Sequence, residues 1–122
     1  MGVAIVVCDR VITEIGTMNK TLVSTFNTIN SSHFPCAHPS LAVYVTLTNA
    51  TGEKEVKLSL KKDEKQFLHM GGKVKFDAPN NIVELIFNFR NLVFPEPGVY
   101  CFEVSADDEY IFETRFNVKK LE

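Results

Sequence analysis

The residue types best suited to chemistry fall in one short segment, residues 33–38, which reads His-Phe-Pro-Cys-Ala-His. Imidazole and thiolate groups are common zinc ligands, and a structural zinc site takes four ligands. His33, Cys36 and His38 would supply three of them, and His69 is the remaining histidine that could act as the fourth. This segment is therefore the one place where the sequence suggests a metal-dependent activity.

The prolines in and after this segment weaken the case for metal. Pro35 and Pro39 restrict the backbone, and no CxxC or HExxH motif accompanies them. The alternative is that Phe34, Pro35 and Cys36 close one end of the fold, while the histidines contact solvent or bond locally. We expect this second arrangement, and hence no metal ion and no other cofactor.

The three cysteines raise the question of a nucleophile. Cys8 and Cys101 lie in apolar runs, where burial raises the pKa of a thiol and makes it inert. Cys36 is the reactive candidate, with His33 or His38 as its base. No pattern suggests an oxyanion hole, so we expect no catalytic residue. An odd number of widely spaced cysteines also argues against a disulfide framework and for a reducing, cytoplasmic location.

A second group of polar residues could form a patch on the sheet surface. Glu84 and Asn88 lie in one strand-like run, and Glu103, Glu113 and Arg115 lie near the C-terminus. Paired carboxylates can do acid–base work when their environments separate their pKa values. Charged residues on the solvent side of a sheet are the simpler interpretation, with Arg115 paired to Glu113 or Glu103.

Composition excludes several classes of function. The chain has 122 residues, 45% of them hydrophobic, and a formal net charge of −2. This length fits one domain over residues 1–122, and the charge argues against a nucleic acid or an anionic membrane as partner. The apolar run 2–8 is too short for a signal sequence or a membrane span.

The periodicity predicts strands throughout. Eight or nine short apolar runs are separated by turn residues every eight to twelve positions, which is typical of an antiparallel β-sandwich. Runs 41–47 and 55–61 alternate cleanly and suggest a hairpin. Residues 30–40 read as a loop, 82–89 as a central strand, and Gly71-Gly72 as the separator of two short strands. Tyr110, Phe112 and Phe116 are expected on one face of the last strand.

The segment 92–104 has the clearest architectural role. Pro95 and Pro97 cannot continue a strand, and Gly98 permits a sharp reversal, so Tyr100 and Phe102 begin a new strand in the core. The run from Pro97 to Phe102 resembles the tyrosine corner of immunoglobulin-like sandwiches. That resemblance implies that the Tyr100 hydroxyl bonds to a backbone group upstream. The chain has no Trp, so the likeness is to this class of sandwich in the broad sense.

A second resemblance extends over nearly the whole chain. The motifs His38-Pro39-Ser40-Leu41-Ala42-Val43-Tyr44 and Phe94-Pro95-Glu96-Pro97-Gly98-Val99-Tyr100, with Cys8-Asp9 and Phe34-Pro35 before them, look like those of an uncharacterised family of small bacterial proteins. The resemblance implies a single-domain β protein of bacterial origin. It implies no activity and no catalytic residue.

Three functions remain open from the sequence. The first is a non-enzymatic module that binds a protein partner through a sheet face or loops. The second is a small-ligand or carbohydrate-binding module, which exposed aromatics such as Tyr44 or Tyr110 on one face would support. The third is the metal-dependent activity from His33, Cys36 and His38. The apolar run 2–8 adds a homodimer through the N-terminal strand, unless that strand is central and covered on both sides.

Overall fold

The strands of this protein form two sheets that pack face to face around an apolar core. The computed structural model describes residues 1–78 and 81–121, and within these ranges it has nine strands and no helix. The strands are β1 (Gly2–Thr13), β2 (Lys20–Thr25), β3 (Thr28–Ser31), β4 (Cys36–Thr48), β5 (Gly52–Lys62), β6 (Lys65–Phe76), β7 (Val83–Phe94), β8 (Gly98–Ala106) and β9 (Glu109–Lys120). The expected all-β sandwich is confirmed, although seven of these strands, at nine to thirteen residues, are longer than expected.

The two sheets differ in size and divide the chain unevenly. The four-stranded sheet has the order β2-β1-β4-β7, and the five-stranded sheet has the order β3-β9-β8-β5-β6. Among the strand pairs of the described chain, β3 and β9 alone run parallel. The chain leaves the first sheet after β2 and enters the second at β3, so residues 26 and 27 cross one lateral side of the sandwich.

The core is built from alternate residues of both sheets, as the period-2 pattern predicts. Leu41, Val43, Val45 and Leu47 of β4 are 0–1% exposed and face Val56, Leu58 and Leu60 of β5 and Phe102, Val104 and Phe116 of β8 and β9. Aromatic rings dominate one end of this core. The Phe94 ring lies edge-on to Tyr100 at 5.0 Å between centroids, and Phe116 lies 5.4 Å from Phe102.

The corner between β7 and β8 has the geometry that the tyrosine-corner resemblance implies. The hydroxyl of Tyr100, a residue that is 1% exposed, donates to the backbone oxygen of Glu96 at 2.7 Å. Pro95 and Pro97 lie in the exposed connection. Gly98 has φ of +149°, and a side chain at this position would collide with the side chain of Lys62. Phe102, two residues after Tyr100, is fully buried in the core.

Two predictions about strand placement are wrong. Runs 41–47 and 55–61 do not form a hairpin, because β4 and β5 belong to different sheets and the connection between them arches over the end of the sandwich. Asn49 and Gly52, with φ of +56° and +77°, make this arch from the same residue types that a hairpin turn uses. The run 82–89 is not central either, since β7 pairs with β4 alone among the described strands.

Two strand boundaries and one strand register also differ from the expectation. The supposed loop 30–40 is shorter, because β3 ends at Ser31 and β4 begins at Cys36. Gly71 and Gly72 lie inside a single strand, β6, and do not separate two. A bulge at Val104/Ser105 shifts the register of β9, so Tyr110 faces outward while Phe112 and Phe116 face the core side. The run 77–81, which reads Asp-Ala-Pro-Asn-Asn, also predicts a break between strands, and residues 79 and 80 of this run lie outside the described residues.

Candidate functional site

The three candidate metal ligands are not gathered into one site. His33 lies in the exposed turn before β4, and its backbone oxygen accepts a hydrogen bond from Ser31 Oγ at 2.9 Å. Cys36 begins β4 and packs partly against the core, as Phe34 does. His69 is on β6, in the other sheet. Over residues 1–78 and 81–121, no group of three or more His, Cys, Asp or Glu side chains is placed to hold a metal ion.

His38 has a partner that the sequence did not suggest. Its Nε2 atom lies 3.1 Å from Asp9 Oδ1, and its ring lies 5.3 Å from the ring of Phe26. The Ser40 hydroxyl also donates to the backbone oxygen of Asp9 at 2.9 Å. The sequence favours histidines that contact solvent or bond locally, whereas His38 bonds to a residue 29 positions earlier and links β4 to the end of its pairing with β1. Asp9 directly follows the apolar run 2–8, and its place in the sequence does not predict this contact.

From Asp9 onwards β1 and β2 form an arm, residues 9–25, that folds over the sheet. β2 and β7 are at opposite edges of the four-stranded sheet, yet Lys20 Nζ of β2 lies 4.0 Å from Glu84 Oε1 of β7. Glu84 is on the outer side of this sheet, because it is opposite Thr46 in the register and its oxygen accepts from the Tyr44 hydroxyl. The arm must therefore cross the outer side to bring these two charges together.

Burial beneath the arm supports this geometry. Cys8 and Ala42 are opposite each other in the register and are both 0% exposed, but they are not part of the core cluster between the sheets. The Cys8 thiol donates to the backbone oxygens of Arg10 and Ala42. A covered pair on the outer side of a sheet needs a layer above it, and the arm provides that layer.

The end of the arm, residues 14–19, is an ordered turn, which we call the arm tip. Its backbone is closed by hydrogen bonds from Glu14 N to Asn19 O (2.8 Å) and from Met18 N to Glu14 O (3.0 Å). The Glu14 carboxylate accepts from the hydroxyls of Thr17 and Thr21, at 3.3 and 3.4 Å. A carboxylate held from both sides in this way gives the turn one defined shape.

The arm tip presents apolar side chains to solvent. Ile15 is 101% exposed and Met18 63% exposed, and Ile12 at the base of the tip is 44% exposed. Exposed apolar residues are common singly, whereas contiguous exposed apolar surface marks an interaction site. Ile15 and Met18 lie on one and the same turn. The sequence alone does not single them out, because Gly16 and Asn19 predict only that residues 16–20 form a turn between strands.

A polar face covers the outer side of the five-stranded sheet, made of Lys61, Cys101, Glu103, Glu113 and Arg115. Glu103 lies opposite Glu113 in the register, and each carboxylate has its own cation. Lys61 Nζ is 2.7 Å from Glu103 Oε2, and Arg115 Nε is 3.1 Å from Glu113 Oε2. The hydrogen bond from Arg115 lowers the pKa of Glu113 below its usual range. These residues line a shallow, open cleft of about 350 Å³.

The expected polar patch is therefore half right. Glu103, Glu113 and Arg115 come together, and Arg115 pairs with Glu113, one of its two expected partners, although the pair lies within the single strand β9 and not across two strands. Glu84 and Asn88 are in the other sheet, so their place in the patch was wrong. The carboxylates of Glu103 and Glu113 are each neutralised by a neighbouring cation, so the two facing residues form a surface ladder of charge pairs.

Cys101 lies within this polar face, and we expect its thiol to have low reactivity. Burial and, to a smaller extent, the adjacent carboxylate of Glu113 together raise the pKa of its thiol to about 11. At pH 8 such a thiol is roughly 0.1% ionised, against roughly 10% for a thiol of pKa 9. We expect Cys101 to react with a thiol reagent about a hundredfold more slowly than a free thiol, with a rate that rises about tenfold per pH unit up to about pH 11.

Mass-spectrometric labelling of the peptide that contains Cys101 checks this expectation. Replacing Glu113 with glutamine removes a negative charge beside the thiol and should increase the labelling rate at pH 8. Glu109→Gln, on the same strand but away from the thiol in register, is the matched control and should leave the rate unchanged. A wild-type rate that already levels off at pH 9 would contradict the raised pKa.

The two tyrosines considered for carbohydrate binding lie on different sheets. Tyr44 is on the outer side of the four-stranded sheet, and Tyr110 is on the outer side of the five-stranded sheet. Their hydroxyls donate to different carboxylates, Glu84 and Glu113. They therefore do not form one aromatic platform on which a sugar ring could stack.

These features define an all-β sandwich with an ordered, apolar-tipped arm over one sheet and charge-paired side chains over the other. In sequence, residues 3–119 match the model of a family of unknown function (DUF6941), and the chain belongs to that family. No curated protein matches the chain. In the described part of the chain, no helix is long and apolar enough to cross a membrane.

Proposed function

We propose that this protein is a non-enzymatic interaction module that binds a protein partner through the arm tip. The observation that supports this proposal is the exposure of Ile15 and Met18 on a turn whose backbone and carboxylate hydrogen bonds hold it in one shape. An ordered apolar turn fits a socket on another protein better than it fits a polar small molecule. The partner surface is therefore an apolar pocket large enough for one isoleucine and one methionine side chain.

The energetics of such a contact are favourable. Burying an exposed isoleucine or methionine contributes about 2 kcal/mol per side chain. Because the turn is already ordered, little backbone entropy is lost when it docks. The arm also carries balanced charge, with Arg10 and Lys20 offset by Asp9 and Glu14. We therefore expect an affinity that changes little with ionic strength, since apolar contacts are not screened.

Capture experiments with matched variants test the proposal. The double substitution Ile15→Asp and Met18→Asp places two charges where the partner pocket is apolar, so the captured protein should be lost or its affinity lowered at least about a hundredfold. The fold should be unaffected, because Ile15 is fully exposed and Met18 mostly so. An unchanged thermal midpoint for the double variant verifies this point.

Val93→Asp is the control for a general loss of apolar surface. Val93 on β7 is 52% exposed, but it is not part of the arm. A partner that the Val93 variant retains and the arm-tip variant loses supports the proposal. Equal capture by the wild type and the arm-tip variant would exclude the arm tip as the binding surface.

Several finer statements rest on the sequence and stay predictions. They are a bacterial origin, a cytoplasmic location, a single domain over residues 1–122 and kinship with immunoglobulin-like domains in the broad sense. The tyrosine-corner hydrogen bond of Tyr100 supports the last of these.

A further inference from the structure

One lateral side of the sandwich has two strand edges without a neighbouring strand over much of their length. β2 pairs with β1 from Cys8 onwards, so within the described chain residues 2–6 of β1 have a backbone neighbour on the β4 side alone. β3 pairs with β9 from Asn117 onwards, so within the described chain residues 109–116 of β9 have a backbone neighbour on the β8 side alone. The crossing segment, residues 26 and 27, closes this open side at one end only.

The backbone of β1 presents hydrogen-bonding groups to this open side. Phe26 N donates to Val7 O at 3.2 Å, so the polar groups of Val7 are directed away from β4. Thr48 Oγ1 on β4 donates to Gly2 O, so the carbonyl group of Gly2 is directed toward β4. This is the direction expected for the even-numbered residues of β1. Since direction alternates along an antiparallel strand, the N–H and C=O groups of Val3 and Ile5 are also directed outward.

The side chains along this edge do nothing to discourage pairing. Residues 2–7 read Gly-Val-Ala-Ile-Val-Val and contain no charge and no proline. Natural sheets usually protect an exposed edge with lysine, proline or a bulge. The other long edges in this protein follow that rule: β6 has Lys65, Lys73 and Lys75, and β7 has Glu84 and Arg90.

An exposed aromatic ring lies on the same open side. Phe112 of β9 is opposite Val104 in the register and so faces the core side of its sheet, yet it is 49% exposed. Thr114, two residues away, lines a cleft of about 340 Å³ together with Ile5 and Val7 of β1. A strand added beside β1 would place its own core-facing side chains over Phe112.

We propose that residues 2–6 of β1 pair antiparallel with the same residues of a second copy of this chain, about a two-fold axis at Ala4. Val3 then lies opposite Ile5 of the second copy, and both residues satisfy the outward backbone groups described above. The pairing joins two four-stranded sheets into one of eight strands, and it brings no like charges together. Because the contact is isologous, it closes at two copies and does not propagate.

The second copy is favoured over another protein for two reasons. Residues 2–7 carry no charge, so two copies of this edge can pair without electrostatic repulsion. Pairing with a strand of a different protein would not require this edge to be uncharged. The core-facing valine and isoleucine of the second copy would also cover Phe112 in both molecules at once. This surface is separate from the arm tip, so this proposal goes beyond the proposed function and can fail without it.

Sedimentation of the full chain over a wide concentration range tests the proposal, with any purification tag placed at the C-terminus. We expect the wild type to be dimeric and to dissociate on dilution. Ala4→Lys should raise the dissociation constant at least about tenfold, because two lysines then face each other across the axis. Ala4 is exposed, so its substitution spares the core.

Ala37→Lys is the matched control, since Ala37 is an exposed alanine of β4 in the same sheet. This variant should dimerise like the wild type. Amide hydrogen exchange gives an independent readout: Val3 and Ile5 should be protected in the wild type and in Ala37→Lys, but not in Ala4→Lys. A wild type that is monomeric at every concentration would overturn the proposal and leave the edge to a strand of a different protein. A dimer that persists in Ala4→Lys would overturn it as well.

Discussion

Replacing Tyr100 with alanine should lower the free energy of unfolding by about 4 kcal/mol, the cost of truncating a large buried aromatic side chain. The Tyr100 ring is 1% exposed and lies against Phe94, Phe67 and Phe116, with centroids at 5.0, 5.5 and 6.0 Å. Its removal leaves a cavity at the aromatic end of the core. The same change removes the donor to Glu96 O, which holds the connection between β7 and β8.

Tyr100→Phe separates the hydrogen bond from the packing. This variant keeps the ring and loses only the hydroxyl, so we expect a loss of about 1 kcal/mol. Urea denaturation followed by circular dichroism measures both variants. If Tyr100→Ala and Tyr100→Phe were equally destabilised, the hydroxyl and not the ring would hold the corner. If neither midpoint moved, the corner would be a tolerant surface connection.

The second large effect is expected at Gly71, in the middle of β6. A Cβ atom at this position would lie 2.9 Å from Lys57 Cα and closer still to the backbone oxygen of Val56, both on the adjacent strand β5. Backbone atoms cannot rotate away as a flexible side chain can, so the two strands would have to separate. We expect Gly71→Ala to lower the free energy of unfolding by about 2 kcal/mol, in the range of other overpacked sites.

Gly72 provides the matched control one residue away. A Cβ atom at Gly72 would meet no atom within 4 Å, and its φ is not in the positive range. Gly72→Ala should therefore be neutral or stabilising by up to about 0.5 kcal/mol, because alanine restricts the unfolded chain. Equal denaturation midpoints for the two alanine variants would contradict the close approach of β6 to β5 at Gly71.

Local patterns predicted the individual strands well. The alternation of Leu41, Val43, Val45 and Leu47 indicated a strand with one buried side, and all four side chains are in the core. The prolines and glycine before Tyr100 likewise predicted a stop followed by a new strand. In both places the signal is steric and acts between near neighbours in sequence, so a single sequence is enough to show it.

Placement of the strands was predicted less well, because it depends on contacts that are distant in sequence. Asn49 and Gly52 adopt positive φ in an arch between sheets just as they would in a hairpin, so turn chemistry alone does not separate the two. The apolar character of Leu85 and Phe87 suggested a central strand. On β7 these residues pack against the core from an edge strand, which pairs with β4 alone among the described strands.

The sequence predicted the side-chain contacts between strands that follow each other along the chain. It did not predict the contacts between strands that are far apart in sequence. Glu103, Glu113 and Arg115 are on adjacent antiparallel strands joined by a tight turn, so their spacing places them together. The pairing of Asp9 with His38 joins residues 29 positions apart. The ion pair of Lys20 with Glu84 depends on the bend of the arm, which no local pattern encodes.

The burial of Cys8 beneath the arm provides a way to detect movement of the arm. Its thiol is 0% exposed beneath the arm, and burial raises the pKa of that thiol, with the nearby Asp9 carboxylate acting in the same direction. A reagent in solution can reach the sulfur only during the brief intervals in which the arm lifts from the sheet. The rate at which a thiol reagent modifies Cys8 therefore reports local opening of the arm, as distinct from global unfolding. A partner bound to the arm tip would lower this rate without contacting Cys8.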